Sequence, residues 1–270
     1  LKSVARRQLA GKRILLTGAS SGIGWALAVE LARRGARLLL TARREERLRQ
    51  LAEEIDRSNA EVVPEILVGD ITEPGVQREL VHAAEVQLGG LDALINCAGV
   101  GAVGRFDAAT PERLREIFEV NFFSAVELTR LALPLLKLGN QPIVVNIGSV
   151  LGHRAVPLKS EYCASKFAMH GWSDALRAEL VADGIDVLLV SPSTTDSEFF
   201  NNLLEDRTVI NHKGARPMSP QRVASATAVA MSRGKHEIIL SCGGKSLVWL
   251  DRLFPTLSDW LMARFANGKK

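Results

Sequence analysis

The sequence predicts a doubly wound α/β fold, one parallel sheet of about seven strands with helices on both faces. Three observations predict it. Short Leu-, Ile- and Val-rich runs alternate with longer amphipathic ones along nearly the whole chain. The short runs are apolar throughout, as strands covered on both faces must be, rather than alternating polar and apolar. The first of them leads directly into a glycine-rich turn and a helix.

In chain order, the strand RILLTG precedes the helix GIGWALAVELARRG, and ARLLLTA precedes REERLRQLAEEIDR. VVPEILVGD then leads to PGVQRELVHAAEVQLG, and LDALINCAG to PERLREIFEVNFFSAVELTRLALPLLK. PIVVNIGS is followed by SEYCASKFAMHGWSDALRAELVADG, IDVLLVSP by SPQRVASATAVAMSRG, and HEIILS closes the alternation. No repeat or linker interrupts it, so residues 1–244 are read as one domain and 245–270 as an amphipathic C-terminal extension.

At 270 residues, 47% apolar and 24% charged, the chain can bury a full core. The net charge of +4 is spread, with Lys and Arg interspersed among Glu, so no nucleic-acid partner is expected. Cys97, Cys163 and Cys242 form no C-x-x-C pair and no His stands at metal-ligand spacing, so neither a disulfide framework nor a zinc site is expected. LKSVARRQLAGKR lacks the apolar core of a secretion signal, and no apolar run approaches the ~20 residues that span a bilayer. The expectation is a soluble, cytoplasmic protein.

Ligands of such sheets bind beyond the carboxyl ends of the strands. The first strand ends in TGASSGIG, where Gly18, Gly22 and Gly24 would let backbone N–H groups approach a pyrophosphate at a helix N-terminus. The second ends in Ala42-Arg43-Arg44 where a carboxylate would have accepted the ribose hydroxyl of NAD. Arg43 suits a 2′-phosphate, which favours NADP(H). Arg44, beside Glu45 and Glu46, is read as the solvated start of the next helix.

These motifs, with five more in the right order, resemble the short-chain dehydrogenase/reductases in their single-domain form, over residues 11 to 240 or so. The resemblance implies a Rossmann-type fold. It also implies a cofactor loop of Gly18, Ser20, Ser21, Gly22, Ile23 and Gly24, an adenine contact at Asp70 and Ile71 in GDIT, and further contacts at Asn96, Ala98 and Gly99 of NCAG. Asn121, Ser149, Tyr162 and Lys166 match the family's catalytic four. Tyr162 and Lys166 would also touch the cofactor, and Asn121 would hold a water connecting Lys166 to solvent. Beyond the sixth strand Pro192 is kept, Ser193 replaces the family's glycine, and Thr195 or Ser197 is left to hold the nicotinamide carboxamide.

Chemistry supports three of these four. Tyr162 is the only tyrosine of the chain, and Lys166, one helical turn on, shares its face. A nearby ammonium would lower the phenol's pKa, making it an acid/base group able to protonate an alkoxide. Ser149, at a strand end, would hold the carbonyl oxygen. The expected reaction interconverts a carbonyl and a secondary alcohol, hydride passing to or from the nicotinamide and the proton passing through Tyr162. The other readings are a carrier-bound 3-oxoacyl reductase and a non-catalytic NADP-binding regulatory or scaffold protein.

Around the site the sequence leaves alternatives. His153 either lines the substrate pocket or is an exposed loop residue; Cys97 and Cys163 are read as packing residues. Residues 195–217, with Phe199, Phe200, Leu203 and Leu204, stand where the family carries a substrate lid. The stripe Trp249, Leu250, Leu253, Phe254, Leu257, Trp260, Leu261 and Phe265 needs burial. In order of preference it packs on its own subunit, covers another subunit, bounds a substrate entrance or meets a membrane surface. A homodimer or homotetramer through helices 111–137 and 160–182 is expected from the resemblance.

Overall fold

The computed structural model describes residues 7–58, 63–196 and 217–266. The strands are β1 (Arg13–Thr17), β2 (Arg37–Ala42), β3 (Glu65–Val68), β4 (Ala93–Asn96), β5 (Ile143–Ile147), β6 (Asp186–Ser191) and β7 (Glu237–Ile239). The helices are α1 (Gly22–Arg33), α2 (Glu45–Ser58), α3 (Pro74–Val86), α4 (Pro111–Phe118), α5 (Ser124–Lys137), α6 (Ser160–Glu179), α7 (Pro220–Ser232), α8 (Cys242–Leu253) and α9 (Pro255–Ala266). All strand pairs are parallel, in the order β3-β2-β1-β4-β5-β6-β7. Strand order reverses between β1 and β4, so the crevice beyond their carboxyl ends is where this topology offers a ligand site.

The uniform apolarity of the strands has a direct structural cause. Alternate residues of one strand enter different cores: Ile14 and Leu16 pack with Leu27, Leu31, Leu51 and Val223 of α1, α2 and α7. Leu15 between them packs with Leu80, Leu128, Leu136 and Leu176 of α3, α5 and α6. Leu38, Leu39 and Leu40 divide in the same way, so a polar residue at either parity would be buried.

Two ion pairs fasten the layers. Asp92, before β4, takes Nη2 of Arg13 at 2.7 Å and the backbone N–H of Asn140 at 2.7 Å, joining β1 to the α5–β5 turn. Arg113 on α4 pairs with Glu161 on α6, both about 95% buried or more.

Residues 111–137 are not one uniform helix. A π turn, Glu119–Phe123, separates α4 from α5 and buries Asn121. The C-terminal stripe departs from its first-ranked expectation. Arg154 fixes α8 and α9 through Asp251 at 2.8 Å and Asp259 at 2.7 Å. Yet Trp249, Leu253, Phe254, Leu257 and Trp260 remain exposed on their own subunit. The helices bury their other faces, at Val248 and Ser258. Phe265's side chain, Ser197, Phe199, Phe200, Leu203 and Leu204 lie outside the described residues. Among the described residues no helix is long and apolar enough to cross a membrane.

Candidate active site

The site begins with a glycine loop whose geometry demands its residues. Gly18 has φ +69, a conformation that costs a side chain about 1–2 kcal/mol. A Cβ there would also lie 2.8 Å from Ala98. At Gly24 a Cβ would come 2.1 Å from the carbonyl oxygen of Gly18, so α1 begins against bare backbone. Thr17 Oγ1 accepts from the N–H groups of Cys97 and Ala98 at 3.0 and 3.1 Å, binding the two strand ends on either side of the crevice.

A cavity of about 650 Å³ follows these strand ends. Its lining includes Gly18, Ser20, Ser21, Gly22, Ile23 and Gly24, then Arg43, Arg44, Asp70 and Ile71, then Ala98 and Gly99, Ser149, Tyr162 and Lys166, and Pro192 and Thr195. Most of the residues singled out by the sequence therefore share one space.

Two do not behave as expected, and a third does more than expected. Asn96 turns its side chain away from the cavity: its amide donates to Asn146 Oδ1 at 2.9 Å and Thr129 Oγ1 at 3.1 Å, cross-linking β4, β5 and α5 beneath the crevice. Arg44 is the exposed residue before α2, as read, and its guanidinium also donates to the hydroxyl and carbonyl oxygens of Ser20, each at 3.2 Å, folding onto the glycine loop. His153 is neither exposed nor in the pocket; its side chain is 1% exposed, 3.0 Å from Glu237 and from Ser191 on the adjoining sheet edge.

Arg43 does extend into the cavity's rim, with Nη1 3.6 Å from Asp70. Asp70 is oriented by accepting from the N–H and the hydroxyl of Thr72 at 3.0 and 2.8 Å. Thr195 Oγ1 donates to the carbonyl of Ser193 at 3.0 Å.

Three elements bring the catalytic candidates together. Ser149 follows the end of β5 and caps the 3₁₀ turn Val150–Gly152, accepting from the N–H of Leu151 at 3.0 Å. Tyr162 and Lys166 lie on α6, and the phenol shares the cavity with Ser149, whose side chain pulls the phenol's pKa down. Lys166 Nζ lies 5.8 Å from the Tyr162 ring centre and donates to the carbonyl of Ile147 at 2.9 Å. Asn121 accepts from the N–H of Val100 at 2.7 Å and donates to its carbonyl and to Ser165 Oγ. Ser165 in turn donates to the carbonyl of Tyr162 at 2.8 Å, so Asn121 clamps the loop after β4 to the turn of α6 that carries the phenol.

The electrostatics correct one expectation. Burial pushes the Tyr162 phenol up to about 12, against the pull of the Ser149 side chain, rather than down under the influence of Lys166. Burial also brings Lys166 down from 10.5 to about 8, since an ammonium in an enclosed site loses its hydration. Cys97, beside Lys166, is pushed up to about 12 and stays a thiol. The resulting arrangement presents a neutral phenol, able to donate a proton, backed by an amine that exchanges protons close to neutrality.

Sequence reasoning missed the first turn of α8. Gly243, Gly244 and Leu247 line the cavity, and Ser241 caps the helix by accepting from the N–H of Gly244 at 2.8 Å. The boundary drawn at residue 244 thus falls inside a helix that belongs to the cavity wall. A serine followed by two glycines after an apolar strand was the available signal.

Comparison with known proteins agrees with this architecture. Residues 12–208 match the short chain dehydrogenase family model. A "Dehydrogenase/reductase SDR family protein 7-like" from Anopheles gambiae is 32% identical over 269 residues, covering 97% of this chain and 85% of that protein. A short chain dehydrogenase from Burkholderia cenocepacia, solved with NADP, has a TM-score of 0.78 at 28% identity and covers 88% of this chain and all of its own. An SDR protein from Burkholderia phymatum, solved with NAD, has a TM-score of 0.83 at 23% identity, over 93% of this chain and 96% of that one. The chain therefore belongs to the short-chain dehydrogenase/reductase family.

Proposed function

We propose that this protein is an NADP(H)-dependent oxidoreductase that interconverts a carbonyl and a secondary alcohol on a largely apolar substrate. The observation that carries the reading is the Tyr162 phenol, sharing with Ser149 and Lys166 the cavity that also takes in the glycine loop and Arg43. The cavity fits a nicotinamide dinucleotide: Gly18 and Gly24, where a Cβ would not fit, leave bare backbone at the start of α1, where a pyrophosphate would be held. Arg43, with Arg44 folded behind it on Ser20, supports a 2′-phosphate. Asp70 and Ile71 would flank the adenine, and Thr195 would take the carboxamide among the described residues. When bound, the cofactor supplies or accepts the hydride.

The protein's own residues handle the oxygen and the proton. Ser149 holds the carbonyl oxygen and stabilises the charge that develops on it. Tyr162, neutral because of its burial, donates its proton to that oxygen in the reducing direction. Lys166 returns a proton to the phenolate, and Asn121 keeps the Tyr162 turn in place through Ser165. Val100, Val103, Val120, Val156 and Leu247 give the rest of the wall much apolar surface, with Glu116 and Lys159 as its charged members. Homo-oligomer formation through the α4–α5 and α6 surfaces belongs to the same reading.

The test is oxidation of NADPH and of NADH by the purified protein against ketones graded in size and polarity, 3-oxoacyl thioesters included, with Tyr162→Phe in parallel. We expect NADPH to be preferred and Tyr162→Phe to lose at least about 100-fold in turnover while still binding NADPH. Equal turnover by Tyr162→Phe would refute the mechanism, and a preference for NADH would refute the cofactor assignment. NADPH binding without turnover of any substrate would favour the regulatory reading.

A further inference from the structure

We infer that His153, His170 and Glu237, with Asp174 beside them, form a binding site for a divalent transition-metal ion, Zn²⁺ by preference. The site lies outside the cavity, at the edge of the sheet. His153 closes the 3₁₀ turn after Ser149, His170 and Asp174 are one turn apart on α6, and Glu237 opens β7. One ligating atom from each of His153, His170 and Glu237 lies within 4.8 Å of the others.

The spacings suit a metal. His153 Nε2 is 3.0 Å from Glu237 Oε1, and His170 Nε2 is 3.4 Å from Asp174 Oδ2. Two ligands each bonded to tetrahedral zinc at its usual length stand about 3.3 Å apart. Imidazole with carboxylate is a donor set that zinc accepts, in contrast to the all-oxygen sets of Mg²⁺ and Ca²⁺.

Hydrogen accounting points the same way. His170 Nδ1 lies 3.2 Å from the carbonyl oxygen of Gly152, which can only accept, so Nδ1 carries the hydrogen. In the neutral ring Nε2 is then a bare lone pair aimed at a carboxylate oxygen. A hydrogen bond from the far nitrogen to a backbone carbonyl is also the usual support of a metal-bound histidine. His153, with a side chain 1% exposed, has Nε2 3.0 Å from the Ser191 hydroxyl and a buried Nδ1 with no hydrogen bond. Glu237 Oε1 lies 3.0 Å from that same Nε2. Ligating atoms of both rings and of Glu237 thus face one another within 4.8 Å.

The two ring centres are 4.2 Å apart. One dication shared between the rings would meet the Glu237 carboxylate, with Asp174 next to His170 and itself paired with Arg177 at 2.8 Å. A metal here would tie together the turn after Ser149, the helix of Tyr162 and the edge strand. Sequence spacing concealed the site because its ligands come from three separate elements.

The protein, stripped with chelator and desalted, is titrated with Co²⁺ and Zn²⁺ beside the variants His170→Gln and Glu237→Gln. One equivalent of Co²⁺ giving a four-coordinate visible spectrum, displaced by one equivalent of Zn²⁺ and weakened at least about tenfold in either variant, supports the site. Zn²⁺ at about 100 times its Kd should raise the Tm of the wild type by roughly 5 °C. If neither variant folds by circular dichroism, the stoichiometric displacement of Co²⁺ by Zn²⁺ in the wild type decides. No stoichiometric uptake, uptake unchanged in both folded variants, or an equal shift with Mg²⁺ would overturn the inference.

Discussion

Replacing Lys166 by methionine should stabilise the protein while removing its activity. The buried ammonium has its pKa brought from 10.5 to about 8 by loss of hydration. At 1.36 kcal/mol per pH unit that difference corresponds to roughly 3 kcal/mol against the folded state wherever the amine is charged. The sign follows from proton binding. Between pH 8 and 10.5 the unfolded chain holds a proton that the folded one has released, so stability gains about 1.4 kcal/mol per pH unit across that window. Below pH 8 the full penalty remains. Methionine has similar length and no charge; it forfeits the 2.9 Å bond from Nζ to the Ile147 carbonyl, about 1 kcal/mol. The net expectation at pH 7 is a variant more stable by about 1–3 kcal/mol, with the gap narrowing as pH rises toward 10. Urea unfolding of both proteins from pH 6 to 10, with turnover measured on the same samples, makes the comparison. A variant less stable at pH 7, or a gap that does not change with pH, would refute the assignment of a buried, destabilising ammonium.

Other consequences can be tested alongside it. Arg43→Gln should raise the KM for NADPH at least about tenfold and leave that for NADH nearly unchanged, because one charge-assisted contact to the phosphate is lost. Glu161→Gln should cost about 3–5 kcal/mol in urea unfolding by leaving Arg113 charged and buried, and the double variant Arg113→Met/Glu161→Gln should recover part of that loss. Burial alone would raise the Asp92 carboxyl, yet hydrogen bonds from Arg13 and Asn140 bring it from 3.8 down to about 2. Its contribution, roughly 2 kcal/mol, is therefore complete above pH 4 and fades as pH falls toward 2, and an acid titration of stability with Asp92→Asn should show a shallower fall over that range. Gly24→Ala, whose methyl group would collide with the Gly18 carbonyl, should abolish NADPH binding measured by fluorescence.

The fold was legible because a sheet covered on both faces needs apolar residues at both parities of each strand, a pattern a sequence cannot hide. The glycine loop and the Tyr162–Lys166 pair were legible because fixed local geometry links each motif to its chemistry. What stayed hidden depended on distant partners. Nothing in ARREER tells that Arg44 folds back onto Ser20, and nothing near Asn96 tells that Asn146 will meet it across the sheet. The acidity of Tyr162 was misread for a related reason: helical spacing places Lys166 nearby but does not measure burial, and burial governs both groups. The C-terminal stripe has helical periodicity, and periodicity reports that a face is apolar without saying what covers it.

The π turn at Glu119–Phe123 gives this helix a dependence on residue count. A π turn holds one residue more than the α-helical path would use. Deleting a single residue between 119 and 123 would let the segment relax to regular α-helix and swing Asn121 by about 100° relative to Val100 and Ser165. The asparagine could be kept in name and still lose both contacts. Among descendants of this chain, substitutions along the exposed side of the helix are cheap, whereas a one-codon deletion in this turn is read by the catalytic helix at once. Length here is inherited as strictly as identity is elsewhere.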